Sequence, residues 1–184
     1  MGSLIDLLSP ARVKGFKIVE VLPCMAGPEK IRVIARVKEE LHDVLPVIYL
    51  YLPQATYNEE ASSVSFMYCD HLVTVFGEGK VTVTNLKDED EARKVVGYVV
   101  DLANRAFRYL ERVGKPPAEA VKSKPKVSPV KLVELLPRTN CGDCGESSCY
   151  SFAIKLATCE KDPSDCPHLE RRSEVVKLLH PIII

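Results

Sequence analysis

The sequence has no excess of charge of either sign. Its 184 residues include 25 basic and 25 acidic side chains, so the formal net charge is zero. Because nucleic-acid binding depends on cations that neutralise phosphates, this balance argues against nucleic acid as the main partner. The longest apolar run, Leu45 to Pro53, is too short to cross a bilayer. The N-terminus lacks the order of an export signal, and we therefore expect a cytoplasmic protein without a membrane span.

The motifs of several common enzyme classes are also missing. No Ser-His-Asp order, phosphate-binding glycine loop or H-E-x-x-H pair occurs in the sequence. His42, His71 and His180 do not have the spacing of metal ligands. The sequence therefore shows no independent active site, and it favours an electron carrier or accessory protein over an enzyme.

The sequence does contain a compact group of cysteines. Of its seven, Cys141, Cys144, Cys149 and Cys166 follow the spacing C-x2-C-x4-C-x16-C. Four thiolates around one centre fit a cubane iron-sulfur cluster or a tetrahedral zinc ion. Zinc is the weaker alternative, because its sites usually close with a second short-spaced pair. Disulfides are disfavoured by the odd cysteine count and the missing export signal.

The residues around these cysteines also favour a metal loop. Gly142 and Gly145 allow the backbone to bend tightly and to direct N–H groups at sulfur. A helix is predicted to begin near Ser147, which places Cys149 in its first turn, where the helix dipole favours a thiolate. Three apolar side chains of this helix are expected to shield the centre from water: Phe152, Ile154 and Leu156.

The segment from Leu132 to Leu169 resembles a known family. It contains a leading L-P, the loop T-N-C-G-D-C-G, a helix rich in Ala, Phe and Leu, and the closing sequence D-P-S-D-C-P-H-L. These motifs are similar to the small [4Fe-4S] domain of the corrinoid iron-sulfur protein large subunit, the acetyl-CoA decarbonylase/synthase gamma subunit. They are also similar to the B subunit of Rnf-type electron-transport complexes. The resemblance implies that the ligands of a [4Fe-4S] cluster are Cys141, Cys144, Cys149 and Cys166.

The resemblance is confined to this domain. Only 18 residues follow Cys166, so we expect no corrinoid-binding region, and we expect neither the membrane anchor nor the further cysteine sets of the Rnf subunit. Cys159 stands where the family often has glycine, about 15 Å along the helix from Cys149, which is too far for the same centre. His168 matches a family position that needs no ligand. Two other cysteines are expected to be small buried side chains: Cys24 and Cys69.

Composition divides the chain into three predicted parts. Residues 1–114 form an α+β domain, residues 115–129 form a Pro/Lys-rich linker, and residues 130–184 form the cluster-binding module. The linker has four prolines and four lysines, so we expect it to be extended and partly mobile. Docking of an acidic partner is an alternative role for its lysines.

The first part has the pattern of an antiparallel sheet followed by a long helix. Strands are predicted at Phe16 to Leu22, Ile31 to Val37, Val47 to Leu52, Ser63 to Tyr68, Leu72 to Phe76 and Lys80 to Thr84. The helix begins after its cap, Asp88, with Glu91 completing a capping box, and ends near Gly114. The segment from Phe76 to Arg105 also loosely resembles one half of a TATA-box-binding-protein-like fold.

The last part is predicted to be a small, mostly helical module. Besides the helix near Ser147, helices are expected from Ser128 to Leu136 and from Leu169 to Leu179. The apolar segment 180–184 is expected to add a strand or to pack on the first domain.

The function that these features favour is one-electron transfer by a [4Fe-4S] cluster to or from a redox partner protein, such as a corrinoid protein or an oxidoreductase. Two alternatives remain. In the first, a cluster or a zinc ion has a structural role in a protein-interaction or assembly module. In the second, the chain is a zinc-bound adaptor that contacts nucleic acid.

Overall fold

The computed structural model describes residues 11–25, 27, 29–124, 127–158, 160–179 and 182. The strands in these ranges are β1 (Phe16–Pro23), β2 (Ile31–Val37), β3 (Thr56–Asn58), β4 (Ser63–Tyr68), β5 (His71–Phe76) and β6 (Lys80–Leu86). The helices are α1 (Leu45–Tyr51), α2 (Glu89–Val113), α3 (Ala118–Lys122), α4 (Pro129–Leu135), α5 (Cys149–Ala157) and α6 (Arg172–Leu179). Short 3-10 turns at His42–Val44 and Pro163–Asp165 complete the description.

The strands form one antiparallel sheet in the order β1-β2-β6-β5-β4-β3. Side chains of a strand alternate between the two faces, and one face of this sheet is apolar and buried. Val33, Val83 and Val73 lie in register across β2, β6 and β5, and all three are fully buried. Helix α2 packs on this face. The predicted α+β architecture is confirmed.

Helix α2 begins and ends where its sequence predicts. The Asp88 carboxylate accepts a hydrogen bond from the Glu91 backbone N–H at 2.8 Å. The Glu91 carboxylate accepts from the Lys87 N–H at 2.7 Å, one residue earlier than in a standard capping box. The helix ends at Gly114, whose φ is 91°. Each apolar side chain that the helix buries on the sheet contributes about 1.5–3 kcal/mol.

The strand predicted from Val47 to Leu52 is wrong, because these residues belong mainly to α1. Pro46 lies in the first turn of the helix, where its missing N–H has no cost. Leu45 and Ile48 are completely buried. A short helix that is buried on several sides shows no alternation of apolar and polar residues, so its sequence resembles that of a buried strand.

The segment 115–129 is anchored to the first domain instead of being extended. It contains helix α3. The Lys124 ammonium donates a hydrogen bond to the Tyr49 carbonyl at 2.6 Å and lies 4.1 Å from the centre of the Tyr49 ring. The Gln54 side chain donates to the Val127 carbonyl at 3.2 Å. These contacts attach the segment to the C-terminal end of α1.

The C-terminal residues form a second hydrophobic core around helices α4, α5 and α6. Its largest buried members are Leu132, Phe152, Leu156 and Leu179. The three helices confirm the predicted helical module, although α6 begins three residues later than expected. Ile182 packs against the first core, as predicted for the chain end, and residues 180, 181, 183 and 184 lie outside the described residues. Over the described ranges, no helix combines the length and apolar character needed to span a bilayer.

The buried hydrogen bonds of Asn104 in α2 lead to a prediction about the free energy of unfolding. Its side chain accepts from the Val13 N–H at 2.8 Å and donates to the Val13 carbonyl at 2.9 Å, and Asn104 and Val13 are both buried. Asn104→Ala leaves the buried N–H and carbonyl of Val13 without hydrogen-bond partners. Each unsatisfied group costs about 1–3 kcal/mol of folding free energy. We expect urea unfolding to show a loss of about 2 kcal/mol or more. Asp101→Ala, at an exposed position of the same helix, is the control and should change stability by less than about 0.5 kcal/mol. Equal effects of the two variants would contradict the prediction.

Candidate metal centre

The loop before α5 depends on two glycines. Gly142 and Gly145 have φ values of 83° and 81°, in the left-handed region that other residues rarely adopt. The Gly145 N–H donates to the Gly142 carbonyl at 2.8 Å, which closes a turn around Asp143 and Cys144. The predicted tight bend is therefore present, and it brings Cys144 close to Cys141.

The start of α5 fixes the third cysteine. Ser148 caps the helix, and its hydroxyl accepts from the Ser151 N–H at 3.0 Å. Cys149 is the first helical residue, as predicted, and its backbone N–H donates to the Asn140 side chain at 2.8 Å. Asn140 has a φ of 51°, which asparagine tolerates better than most residues. Asn140 thus connects the loop to the helix start.

The fourth cysteine follows a 3-10 turn with its own capping box. The Asp165 carboxylate accepts from the Asp162 N–H at 2.9 Å, and the Asp162 carboxylate accepts from the Ser164 N–H at 2.7 Å. Pro163 stands at the first position of the turn. The sequence D-P-S-D therefore holds Cys166 at a fixed place, where it is only 6% exposed.

The four cysteines line one small recess. Other residues in its lining include Leu136, Phe152 and Glu146. All four are free thiols. Their exposure is graded, since Cys141 is exposed, Cys144 and Cys149 are partly buried, and Cys166 is buried. The recess is thus open towards solvent on the side of Cys141 and closed towards the core of the module.

The shielding predicted for the helix side chains is partly right. Phe152 lines the recess and is almost completely buried. Leu156 is buried in the same hydrophobic core. Ile154 is 40% exposed and is not part of the recess, so its predicted role is wrong. Its position two residues after Phe152 turns it to another side of the helix.

A cationic centre would offset the cost of ionising the buried Cys166 thiol. Burial raises the pKa of the Cys166 thiol, and the negative charge of neighbouring thiolates raises this pKa further, whereas a hydrogen bond from the His168 backbone lowers it. Four thiolates without a counter-charge would repel one another, and binding iron or zinc removes that repulsion. Soft thiolate donors are also the ligands that zinc and iron-sulfur clusters prefer. The residues present therefore fit either group.

Two lysines at or after the C-terminal end of α5 bind the loop that contains Cys144 and Glu146. The Lys155 ammonium lies 2.8 Å from the Glu146 carboxylate, and this hydrogen bond raises the pKa of Lys155. The Lys161 ammonium donates to the Cys144 carbonyl at 3.2 Å. Both contacts lie next to residues of the recess and fix the backbone that carries Cys144.

A second group of ligand-type side chains lies at the open side of the recess. The His168 imidazole is 2.6 Å from the Asp143 carboxylate, and this hydrogen bond lowers the pKa of Asp143. With Cys141 they bring three ligand atoms within 4.8 Å of one another, all on exposed residues. Asp143 and His168 are 25 positions apart, and no sequence signal links them.

Two further cysteines, Cys24 and Cys69, lie outside this recess. Cys69 is exposed, so the expectation that it is buried is wrong. It forms, with Asp70, the two-residue turn between β4 and β5, where both residues have positive φ. Cys24 is partly buried, and its N–H donates to the Lys30 carbonyl at 2.8 Å. Cys159 lies outside the described residues.

Comparison with known proteins identifies the segment that carries the recess. A family model described as "Putative Fe-S cluster" matches residues 136–168. The acetyl-CoA decarbonylase/synthase complex subunit gamma of Methanosarcina acetivorans is 44% identical over 52 residues, which are 28% of this chain and 11% of that protein. The subunit of Methanothermobacter thermautotrophicus is 42% identical over 60 residues, 32% of this chain and 13% of that protein. No solved structure matches the chain.

These matches confirm the resemblance to the gamma subunit, and they show that residues 136–168 are similar to an iron-sulfur cluster domain. The chain spans only about a tenth of the length of the curated relatives it matches. The resemblances to the Rnf subunit and to a TATA-box-binding-protein-like half remain predictions, as do the boundaries of the three parts of the chain.

The hydrogen bond between Cys149 and Asn140 leads to a prediction about metal binding at the four cysteines. Asn140→Ala removes the acceptor for the Cys149 N–H and places a less tolerant residue at positive φ, each at a cost of about 1 kcal/mol. We expect less iron to be retained after anaerobic reconstitution, measured by iron analysis during mild chelation. Asn140→Asp keeps an acceptor oxygen and should retain iron as the unmodified chain does. Identical iron loss from both variants would show that the hydrogen bond does not position Cys149.

Proposed function

We propose that this chain binds one [4Fe-4S] cluster through Cys141, Cys144, Cys149 and Cys166. The observation that carries the proposal is that these four thiols line one recess. They also belong to the segment that matches an iron-sulfur domain. Cubane clusters take four cysteine ligands. A structural zinc ion fits the donors equally well, and the segment match supports the cluster over zinc.

We further propose that the cluster serves one-electron transfer with a partner protein. A [4Fe-4S] cluster supplies one-electron redox chemistry when bound. Exposed Cys141 and Gly142 form the side of the site that a partner can approach, whereas Phe152 and Cys166 exclude water from the other side. The relatives are named as subunits of a complex, which supports a protein partner. A corrinoid protein or an oxidoreductase fits this role.

The charges around the site support a low reduction potential. From Arg138 to His168 there are three basic and five acidic residues. One of the basic residues, Lys155, is paired with Glu146, and the pKa of Asp143 is held below its usual value by His168. Negative charge near an anionic cluster disfavours the addition of an electron. The same surface would attract a basic region on a partner.

A structural role is the second candidate. Cys166 belongs to the hydrophobic core of the module, together with Leu132 and Leu169. A centre bound there links α5 to the segment before α6, and its binding free energy would add to the stability of the module.

Metal and redox analysis of the anaerobically purified protein separates these candidates. We expect about four iron and four sulfide per chain, and a paramagnetic EPR signal after reduction by dithionite. Equimolar zinc without sulfide would contradict the cluster. A cluster that dithionite does not reduce would contradict electron transfer and favour the structural role.

Substitution of the buried ligand tests the assignment of the four cysteines. Cys166→Ser should abolish the cluster, because a hydroxyl is a poor replacement for a buried thiolate. The visible charge-transfer absorption and the iron content should both be lost. Cys69→Ser, at an exposed cysteine outside the recess, is the matched control and should keep the full iron content. Full iron in Cys166→Ser, or loss of iron in Cys69→Ser, would contradict the assignment.

A further inference from the structure

Three basic side chains lie in one row on the open face of the sheet. Lys17 pairs with Arg36 across β1 and β2, and Arg36 pairs with Lys80 across β2 and β6. Arg36 stands between the buried residues Ala35 and Val37, so this row faces away from α2. Side chains directly opposite each other on neighbouring strands are about 5 Å apart at their Cβ atoms. The row therefore places like charges side by side.

Two further lysines turn this row into a concave basic site. Lys14 and Lys38 join Lys17 and Arg36 around a recess of about 350 Å³, whose lining also includes Glu39. This volume lies within the range of small-molecule sites. Four cations thus line the recess, and Lys80 continues the row on the neighbouring strand.

Two carboxylates, Glu39 in the lining and Glu78 beside Arg36, are outnumbered by the cations of the recess, so the site keeps a net positive charge. Glu78 is 3.7 Å from Arg36, and both side chains are more than half exposed, so this pair is weak. The Lys80 ammonium nitrogen lies 4.3 Å from the centre of the Phe76 ring. Among the described residues, neither Lys17 nor Lys38 forms an ion pair. Like charges directly opposite on neighbouring strands are destabilising, and a bound anion would remove this cost.

We propose that this recess binds a small ligand that carries a diphosphate group. The row extends over two strand spacings, about 10 Å, so two linked phosphates contact its side chains better than one. The Arg36 guanidinium offers a fork of N–H donors for one phosphate, and the lysines act as point charges for the other.

The rest of the open face favours a small ligand over nucleic acid. The next row contains no cation. Its members are Ser65, Thr74, Thr82, Ile34 and Glu20, with a hydrogen bond of 2.9 Å between Ser65 and Thr74. Two apolar side chains, Met67 and Leu72, lie beyond it. Arg32, opposite Leu22, is separated from the basic row by the row that contains Ile34 and Glu20, so the cations form no continuous stripe. A nucleic-acid strand requires such a stripe along its path.

The proposed anion site is separate from the metal centre. It lies beside the turn between β5 and β6, where the Val37 N–H donates to the Gly79 carbonyl at 2.9 Å. The turn at the other end of β5 contains Cys69 and Asp70, and the charge of Glu160 in the cluster module acts on the Cys69 thiol. The two recesses share no lining residue, and neither proposal depends on the other.

Binding of pyrophosphate and ADP to the full chain, measured by calorimetry at constant ionic strength, tests this proposal. Both compounds share the diphosphate group, and ADP shows whether a nucleoside adds affinity. We expect saturable binding of both, weakened about tenfold or more in the variant Lys17→Gln/Arg36→Gln, because two charge-assisted contacts are lost. The same variant should unfold at an equal or higher temperature without ligand at low salt, because the like-charge row is removed.

Lys122→Gln/Lys131→Gln changes the net charge equally at exposed residues outside the recess and should bind both compounds as the unmodified chain does. Equal binding by the two double variants would overturn the proposal. Tighter binding of a single-stranded oligonucleotide than of pyrophosphate, with a steep salt dependence, would overturn it in favour of nucleic acid.

Discussion

The C-terminal module depends on one convergence, in which the thiol of Cys166 is brought to the three thiols of residues 141–149. Cys141 and Cys166 are separated by 24 residues, and helix α5 and a 3-10 turn lie between them. Their convergence requires left-handed backbone at Gly142 and Gly145, a capped start for α5, and a separate hydrophobic core that holds the helices together. Each of these features costs conformational freedom. A metal centre offsets that cost, because it replaces mutual repulsion of thiolates by bonds to a common cation.

The two hydrophobic cores are connected more firmly than the composition suggests. A segment rich in proline and lysine usually behaves as an extended spacer. Here Lys124 binds a carbonyl at the end of α1, and Val127 is buried in the second core while its carbonyl accepts from Gln54. Hydrogen bonds of Lys124 and of the Val127 carbonyl thus hold the connection to the end of α1. This connection is relevant to the electron transfer proposed above, in which a partner would approach the exposed side of Cys141.

Features encoded within a few residues were predictable from the sequence, and features that depend on distant contacts were not. The cap at Asp88, the glycine loop and the start of α5 are local, and their predictions hold. The sequence predicts a strand from Val47 to Leu52 where the structure has α1, because complete burial of Leu45 and Ile48 removes the periodic pattern that distinguishes helix from strand. Cys69 was misjudged because its exposure follows from a two-residue turn. The pairing of Asp143 with His168 arises only after Cys166 has been brought to the loop.

The charge balance of the whole chain conceals an uneven distribution. The formal net charge is zero, yet basic side chains gather on the open face beside the β5–β6 turn. Acidic residues outnumber basic ones between Arg138 and His168, and the charge of Glu160 in this segment acts on the Cys69 thiol of the β4–β5 turn. Electrostatic attraction acts over about a Debye length, near 8 Å at physiological salt, so each end of the sheet presents its own field. A neutral protein can therefore attract an anion at one end and a basic partner surface at the other. Net charge alone excludes neither interaction, because local charge density determines the attraction.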